Sequence, residues 1–418
     1  MKKKIMKWCN LLIKRAFFTL VVFGCVNQIY AEDGNAIPQM EIVWQKELSI
    51  DVNMICLPGP VAFNKMIRRL LVSAVSCSPQ DYSDGKIWLM EINPDNGTIT
   101  KNSFVKDIDE NKGAAVFSST SIRSMTITGN NDVILSDKFD NLTDEQVLIK
   151  MRQDGLLEHI EFNDKKEKNN RVMNSSCPSG EGVLLAGRDK KRDENLVMKL
   201  DSEGNKLWEK YYRVGQGNPG RFVDVLAVKN EGEFFTIGWY LTGKLFDQPK
   251  PKVVDFILLH NSDGDVIAKE EFEGAALGGL GNLHQMCQEK NSGNIMVVYA
   301  DHIDGTYDEI KIRSFAPDLK FLWEKQVVTS EENKPSTFNI ATKPNNGFVV
   351  AANIDFGDLR VYEYDKDGNQ VASFSTDKKV GSGNLDVLCT DEKAFVVFPT
   401  RLGSEGISKI KIIALELK

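Results

Sequence analysis

Histidine is scarce in this chain of 418 residues, with four copies: His159, His260, His284 and His302. A Ser/His/Asp triad would have to use His284 or His302, and no GxSxG elbow accompanies either. Pairs of the CxxC type and Cys/His clusters at metal-ligand spacing are also missing, so nothing in the sequence implies a bound metal. The acidic turns SDGD and DKDGN lack the twelve-residue spacing to a closing Glu that a calcium loop requires. Asp201, Asp263 and Asp365 therefore read as hairpin-turn residues, since Asp, Asn and Gly are what a tight turn needs. Past residue 31 no apolar run approaches the length that spans a bilayer.

The first residues, MKKKIMKWCNLLIKR, carry every charge before Glu32, all of them basic, and lead into an apolar run from Ala16 to Val26. That order reads as a secretory signal peptide over residues 1–31, with cleavage after Ala31 and a bacterial style of signal. Cys25, after Val22, Phe23 and Gly24, is an alternative acylation site that would anchor the protein to lipid, although Phe fits the middle of that pattern poorly. Loss of residues 1–31 reduces the 52 basic residues to 46 and leaves all 59 acidic ones, a formal charge of −13. Such an excess repels nucleic acid and anionic lipid. The expected location is the periplasm or the outside of the cell. The two acceptor-like sequences at Asn96 and Asn141 do not imply glycosylation in that setting.

What the chain does have is a unit that recurs about every 45 to 55 residues, the period of a propeller blade. LVMKLDSEGNKLWEKYY, from Leu196, is typical: an alternating strand, an acidic Gly turn, and a second strand bearing Trp. Six such hairpins are complete, and each is followed by a polar loop and a second apolar hairpin, such as FVDVLAVKNEGEFFTIGWY from Phe222. Two hairpins make the four strands of one blade. The seventh blade explains the termini. EIVWQKELS, from Glu41, resembles the second strand of the acidic hairpin, and KIKIIALELK, from Lys409, resembles the first. Together they would complete a blade with VNMICL and LLVSAVS as its inner strands. The expectation is an all-β, seven-bladed propeller over residues 41–418, after a tail at 32–40, with its ring closed by strands from both ends. Long loops are expected at GKLFDQPKPKVVD from Gly243 and FNDKKEKNNR from Phe162.

The hairpin around Trp208, and in part those around Trp323 and Trp44, resembles the repeat of secreted bacterial propellers of the quinoprotein (PQQ-like) type. Elsewhere His159, Ala268 and Ala372 take the Trp place. The Trp positions read as packing of one blade on the next rather than as a quinone cofactor site, and no cofactor is expected.

Cysteine closes an inner apolar strand at Cys56, Cys177, Cys287 and Cys389, with Ile127, Ala227 and Ala341 filling the slot in the other repeats. With Cys77 these are five thiols outside the signal, an odd number, expected to stay reduced in the core. The strand order that the resemblance implies makes the cysteine strand innermost. Three places before the slot stand Asn53, Ser124, Asn174, Asp224, His284, Phe338 and Asp386, and six places before it two repeats carry Arg171 and Arg221. This set is the candidate ligand-binding ring of a central funnel, with the channel's own demand for polar groups as the structural explanation. Tyr299–Glu309 adds an acidic loop with Asp301, His302, Asp304 and Asp308, read as exposed rather than metal-binding. No catalytic residue emerges. The leading expectation is an exported binding or scaffold protein that recognises a protein or polar ligand through its loop face. An enzyme acting in the funnel, as a hydrolase, lyase or quinone-dependent dehydrogenase, is the alternative.

Overall fold

The structure, a computed structural model, describes residues 37–48, 55–78, 86–107, 122–138, 146–153, 156–160, 171–215, 220–228, 232–242, 253–273, 284–303, 306–329, 335–354, 357–376, 381, 384–400 and 409–418. The expected signal peptide and the Cys25 acylation site lie outside these residues. Gln39–Lys418 forms one compact unit.

Apolar sequence gives four-stranded antiparallel sheets throughout: the middle strands bury both faces between neighbouring sheets, and the outer strands are more open to solvent. Blade 1 is β2 (Ile55–Asn64), β3 (Arg69–Cys77), β4 (Lys86–Ile92) and β5 (Ile99–Asp107). Blade 2 is β6 (Ile122–Ile127), β7 (Val133–Lys138), β8 (Gln146–Met151) and β9 (Leu157–Ile160). Blade 3 is β10 (Arg171–Ser179), β11 (Gly182–Asp189), β12 (Glu194–Leu200) and β13 (Lys206–Tyr212). Blade 4 is β14 (Arg221–Ala227), β15 (Phe234–Leu241), β16 (Val253–His260) and β17 (Val266–Glu273). Blade 5 is β18 (His284–Gln288), β19 (Ile295–Ile303), β20 (Thr306–Phe315) and β21 (Phe321–Thr329). Blade 6 is β22 (Pro335–Thr342), β23 (Phe348–Ile354), β24 (Asp358–Tyr364) and β25 (Gln370–Thr376). Blade 7 is β26 (Asp386–Cys389), β27 (Lys393–Pro399), β28 (Ile410–Glu416) and, as its outer strand, β1 (Ile42–Leu48).

The first strands of successive blades touch in turn, and β26 returns to β2, so the seven sheets form a closed seven-bladed propeller. Closure is by the two ends of the unit. Trp44 pairs with Ala414 and Leu48 with Ile410 in antiparallel register. Ahead of β1, the Met40 amide donates to Ser373 O (2.7 Å) and ties the start of the unit to the outer strand of blade 6. The closing blade takes β26 and β27 as its inner strands, not VNMICL and LLVSAVS as expected; residues 55–57 and 70–76 fall in β2 and β3 of blade 1, which has its own outer strands. β2 begins at Ile55 and runs past two prolines to Asn64, bulging between Pro58 and Val61.

The acidic turns interlock the blades. Asp201 Oδ1 accepts the amide of Asn205 (2.8 Å), and Asp365 Oδ1 accepts that of Asn369 (2.8 Å). In blade 4 Asn261 does this work, accepting from Asp265 N (2.8 Å). The bond from the Asn205 side chain also holds the Asp201 carboxyl below its ordinary range. Each of these turns has a glycine at positive φ, Gly204 in that of Asp201, and in three blades the glycine, Gly97, Gly264 or Gly368, lies beneath an indole of the preceding blade. A Cβ on Gly97 would lie 2.7 Å from Trp44 Cε3, and one on Gly368 would lie 2.8 Å from Trp323 Cη2. Trp44 Nε1 donates to Pro94 O (2.8 Å) in the same turn. These tryptophans therefore serve as blade-to-blade packing.

Where the indole is missing, its partner changes with it. Ala268 stands in the Trp place of blade 4, and the facing turn of blade 5 has Leu319 at φ 67 in place of glycine, its side chain buried in the same cluster as Ala268. Ala372 of blade 6 is instead covered by Met40 and Leu417, from the two ends of the chain segment that closes the ring. In blade 2 the register sets Glu158 opposite Lys150, as Trp208 sits opposite Lys199. The Trp place there is thus Glu158, one residue before the expected His159. Buried Lys150 crosses to the next turn, donating to Ser202 O (2.7 Å) beside Asp132 (3.3 Å).

Candidate functional site

In an antiparallel blade the turns within the two hairpins fall at one end, and the other connections at the opposite end. The hairpin turns are short, as at 180–181, 201–205 and 261–265. The connections at the other end include 108–121, 161–170, 242–252, 274–283 and 400–409. Both loops expected from sequence, after Gly243 and after Phe162, leave from this second end, although they lie outside the described residues.

The inner polar ring exists, with a different membership. Placing the blades by strand pairing, the equivalent residues are Ser124 (opposite Ser136), Ser175 (Ala186), Asp224 (Ile237), Gln285 (Val298), Asn339 (Ala351) and Asp386 (Val397). In blade 1 the position falls in the bulge, where Ser73 Oγ donates to Pro60 O (2.8 Å). Three expected members, Ser124, Asp224 and Asp386, hold that place. Asn174, His284 and Phe338 are each one residue short of it, and one residue along a strand changes the face. Asn53 was counted back from Cys56, yet Cys56 pairs with Ser76 at the far end of its strand, and Ala62, opposite Leu71, is the counterpart of Cys177. Asn53 itself lies outside the described residues, as do the side chains of His284, Asp301, His302, Asp304 and Asp308.

Four of the ring groups bond to neighbouring blades, while Ser124 bonds to Ser136 within blade 2 (2.8 Å). Ser175 Oγ donates to Asp224 Oδ1 (2.5 Å), and Asp224 Oδ2 accepts the Met286 amide of blade 5 (2.9 Å). Asn339 Nδ2 donates to Asp386 Oδ1 (2.6 Å), and Asp386 Oδ2 accepts the Val61 amide of blade 1 (2.7 Å). Thr126 and Ser176 share a hydroxyl bond (2.6 Å) between blades 2 and 3. Asn174, off the ring, donates to Phe222 O (2.6 Å), while Asn195 Oδ1 accepts from Phe222 N (2.8 Å), so blade 3 grips the start of blade 4 from both sides. Burial pushes Asp224 up to about 6 and Asp386 to about 7, the charge of Asp224 adding to the latter.

Arg171 and Arg221, expected together, do different things. Arg171 is buried in blade 3 against Glu209 (3.0 Å) and Tyr211 Oη (3.0 Å). Arg221 is exposed at the end with the long connections, its guanidinium 5.7 Å from the Trp239 ring centre. The five thiols of the unit form no disulfide, four of them are buried, and burial raises Cys77 to about 12 and holds Cys177, Cys287 and Cys389 above the ordinary thiol range as well. His260 is a core residue, stacked on Phe234 (4.4 Å) and bonded through Nε2 to Thr236 Oγ1 (2.8 Å); burial lowers it to about 4. Among the described residues no three His, Cys, Asp or Glu side chains group as a metal site, and no helix is long and apolar enough to cross a membrane.

Sequence reasoning missed Ser175, Gln285 and Asn339, because it anchored each repeat on the cysteine. The turn beyond that cysteine varies in length, whereas the apolar second strand marks the register directly.

These features define a seven-bladed propeller with an internally bonded centre and one loop-rich face. No family model matches the chain, and no curated protein does. Among solved structures it is similar to a protein of unknown function from Dyadobacter fermentans, at TM-score 0.53 and 11% identity, covering 91% of this chain and 100% of that one. A member of the DUF4221 family from Bacteroides vulgatus matches at TM-score 0.43 and 12% identity, over 72% of this chain and 94% of that one. The first likeness supports the fold alone.

Proposed function

We propose that the protein is an exported binding protein of the cell envelope that engages a protein partner through the face carrying the long connections. The observation that carries this reading is the contrast between the two parts of the molecule. At the centre Ser175, Asp224, Asn339 and Asp386 are bonded to adjacent blades, and the long connections leave the strands at one end, where loops on a rigid scaffold typically recognise partners. Export rests on the basic head and short apolar run of residues 1–31.

The test exchanges the connections 242–252 and 400–409 for short Gly/Ser links, and in a second variant the hairpin turns 201–205 and 365–369, and measures cross-linked partners on intact cells. Loss with the first variant and retention with the second is expected; the reverse pattern, or loss with neither, removes the reading. The mass of the mature N-terminus checks export, with cleavage after Ala31 expected and an acyl group on Cys25 the lipid-anchored alternative.

The raised carboxyls of Asp224 and Asp386 favour the second reading, an enzyme with a central general acid, since a carboxyl near neutrality suits proton transfer. Both carboxyls are occupied by amides of the next blade, which favours the first.

A further inference from the structure

The seam between blades 3 and 4 carries a concentration of cationic side chains on an otherwise acidic chain of formal charge −7. The strand end and turn from Arg188 to Arg192 supply four basic groups, and Arg213 and Arg221 follow where blade 3 hands over to blade 4. Three acids sit among these six bases. Asp189 is buried against Arg171 (3.9 Å) and Arg192 (3.9 Å), Asp193 pairs with Arg188, and Glu194 faces Arg213 (3.5 Å). The cluster keeps an excess of positive charge. Arg188 Nε is buried without a hydrogen bond, and burial, followed by the charge of Arg221, lowers the proton affinity of that side chain. Among the described residues Arg221 has no acidic partner.

The aromatic faces at the seam are already covered by cations. Arg192 lies 4.0 Å over the Tyr211 ring, and Arg221 5.7 Å over that of Trp239. A guanidinium stacked in this way keeps its edge N–H groups for a carboxylate. The Tyr211 and Trp239 rings are thus occupied where a sugar would stack, so among the described residues the patch suits carboxylates on a flexible chain better than an acidic polysaccharide.

We infer that this patch, centred on Arg188, Lys191 and Arg221, binds an acidic segment, rich in Asp and Glu, of a protein partner. The inference rests on the partner-binding reading above and gives that partner its chemistry. It also explains how a negatively charged protein attracts a negatively charged segment to one place, since the local field there is reversed.

The test is fluorescence anisotropy of a labelled oligoglutamate peptide with the purified protein at low and moderate salt. Saturable binding that weakens with salt is expected, with about a tenfold loss in Lys191→Gln/Arg221→Gln. Lys320→Gln/Lys366→Gln, at the hairpin-turn end, should bind as the parent does. Absence of peptide binding, equal loss in both variants, or tighter binding of an oligogalacturonate each overturns the assignment. If the peptide fails while exchange of the long connections still abolishes partner capture, only this inference falls. If that exchange leaves capture intact, the wider reading falls whatever the peptide does.

Discussion

His260 shows what a buried imidazole costs at low pH. Its ordinary value of 6.5 drops to about 4 in the fold, so between those limits the unfolded chain takes up a proton that the native state refuses. Stability is lost as pH falls through that window, on the order of 2 kcal/mol between pH 7 and pH 5. His260→Gln should lower the melting temperature at pH 7, because the stack on Phe234 is lost, and yet show a smaller further drop at pH 5. An unchanged drop would mean that another group titrates. From sequence His260 was one of four histidines with no context. Its strand position was legible, while its stacking and its bond to Thr236 depend on contacts between strands.

At the scale of the element, three of the seams are built on an indole over the glycine of the next turn. Gly368→Ala should cost about 1–2 kcal/mol from the left-handed backbone alone, and more from contact with Trp323. In Trp323→Ala, which removes the ring, Gly368→Ala should cost less. A double-mutant cycle in denaturant reads the difference, and strict additivity would show that the two do not touch. The hairpins and their Trp were legible because alternation and turn residues are local signals. The exchange of Trp and Gly for Ala268 and Leu319 was not, since it is a compensation between residues of adjacent blades. The same limit displaced the inner ring. Cys56 looked like Cys177 in sequence, and only the pairing of β2 with β3 reveals that Ala62 is the true counterpart. A bulge across Gly59 and Pro60 shifts blade 1, and no local pattern announces it.

Across the whole molecule, closure by the two ends was legible because each end has the pattern of half a hairpin. Removing residues 410–418 would leave β1 and β27 without their common partner and uncover the apolar cluster of Phe395, Val397 and Leu48. Such a truncation should lose cooperative unfolding in calorimetry; a normal transition would contradict closure, because blades in a ring depend on their neighbours. Within the ring the central account is that Asp224 and Asp386 fasten inner strands of adjacent blades rather than await a substrate. Both are raised above the ordinary 3.8, so as pH climbs the unfolded chain releases its protons first and the fold loses stability between about pH 4 and about pH 7. The most direct measurement is the melting temperature of the parent and of Asp386→Asn across that range. The account predicts a variant with a lower melting temperature at pH 4 and a shallower decline toward pH 7. An unchanged melting temperature at pH 4 together with the parent's full decline would contradict it.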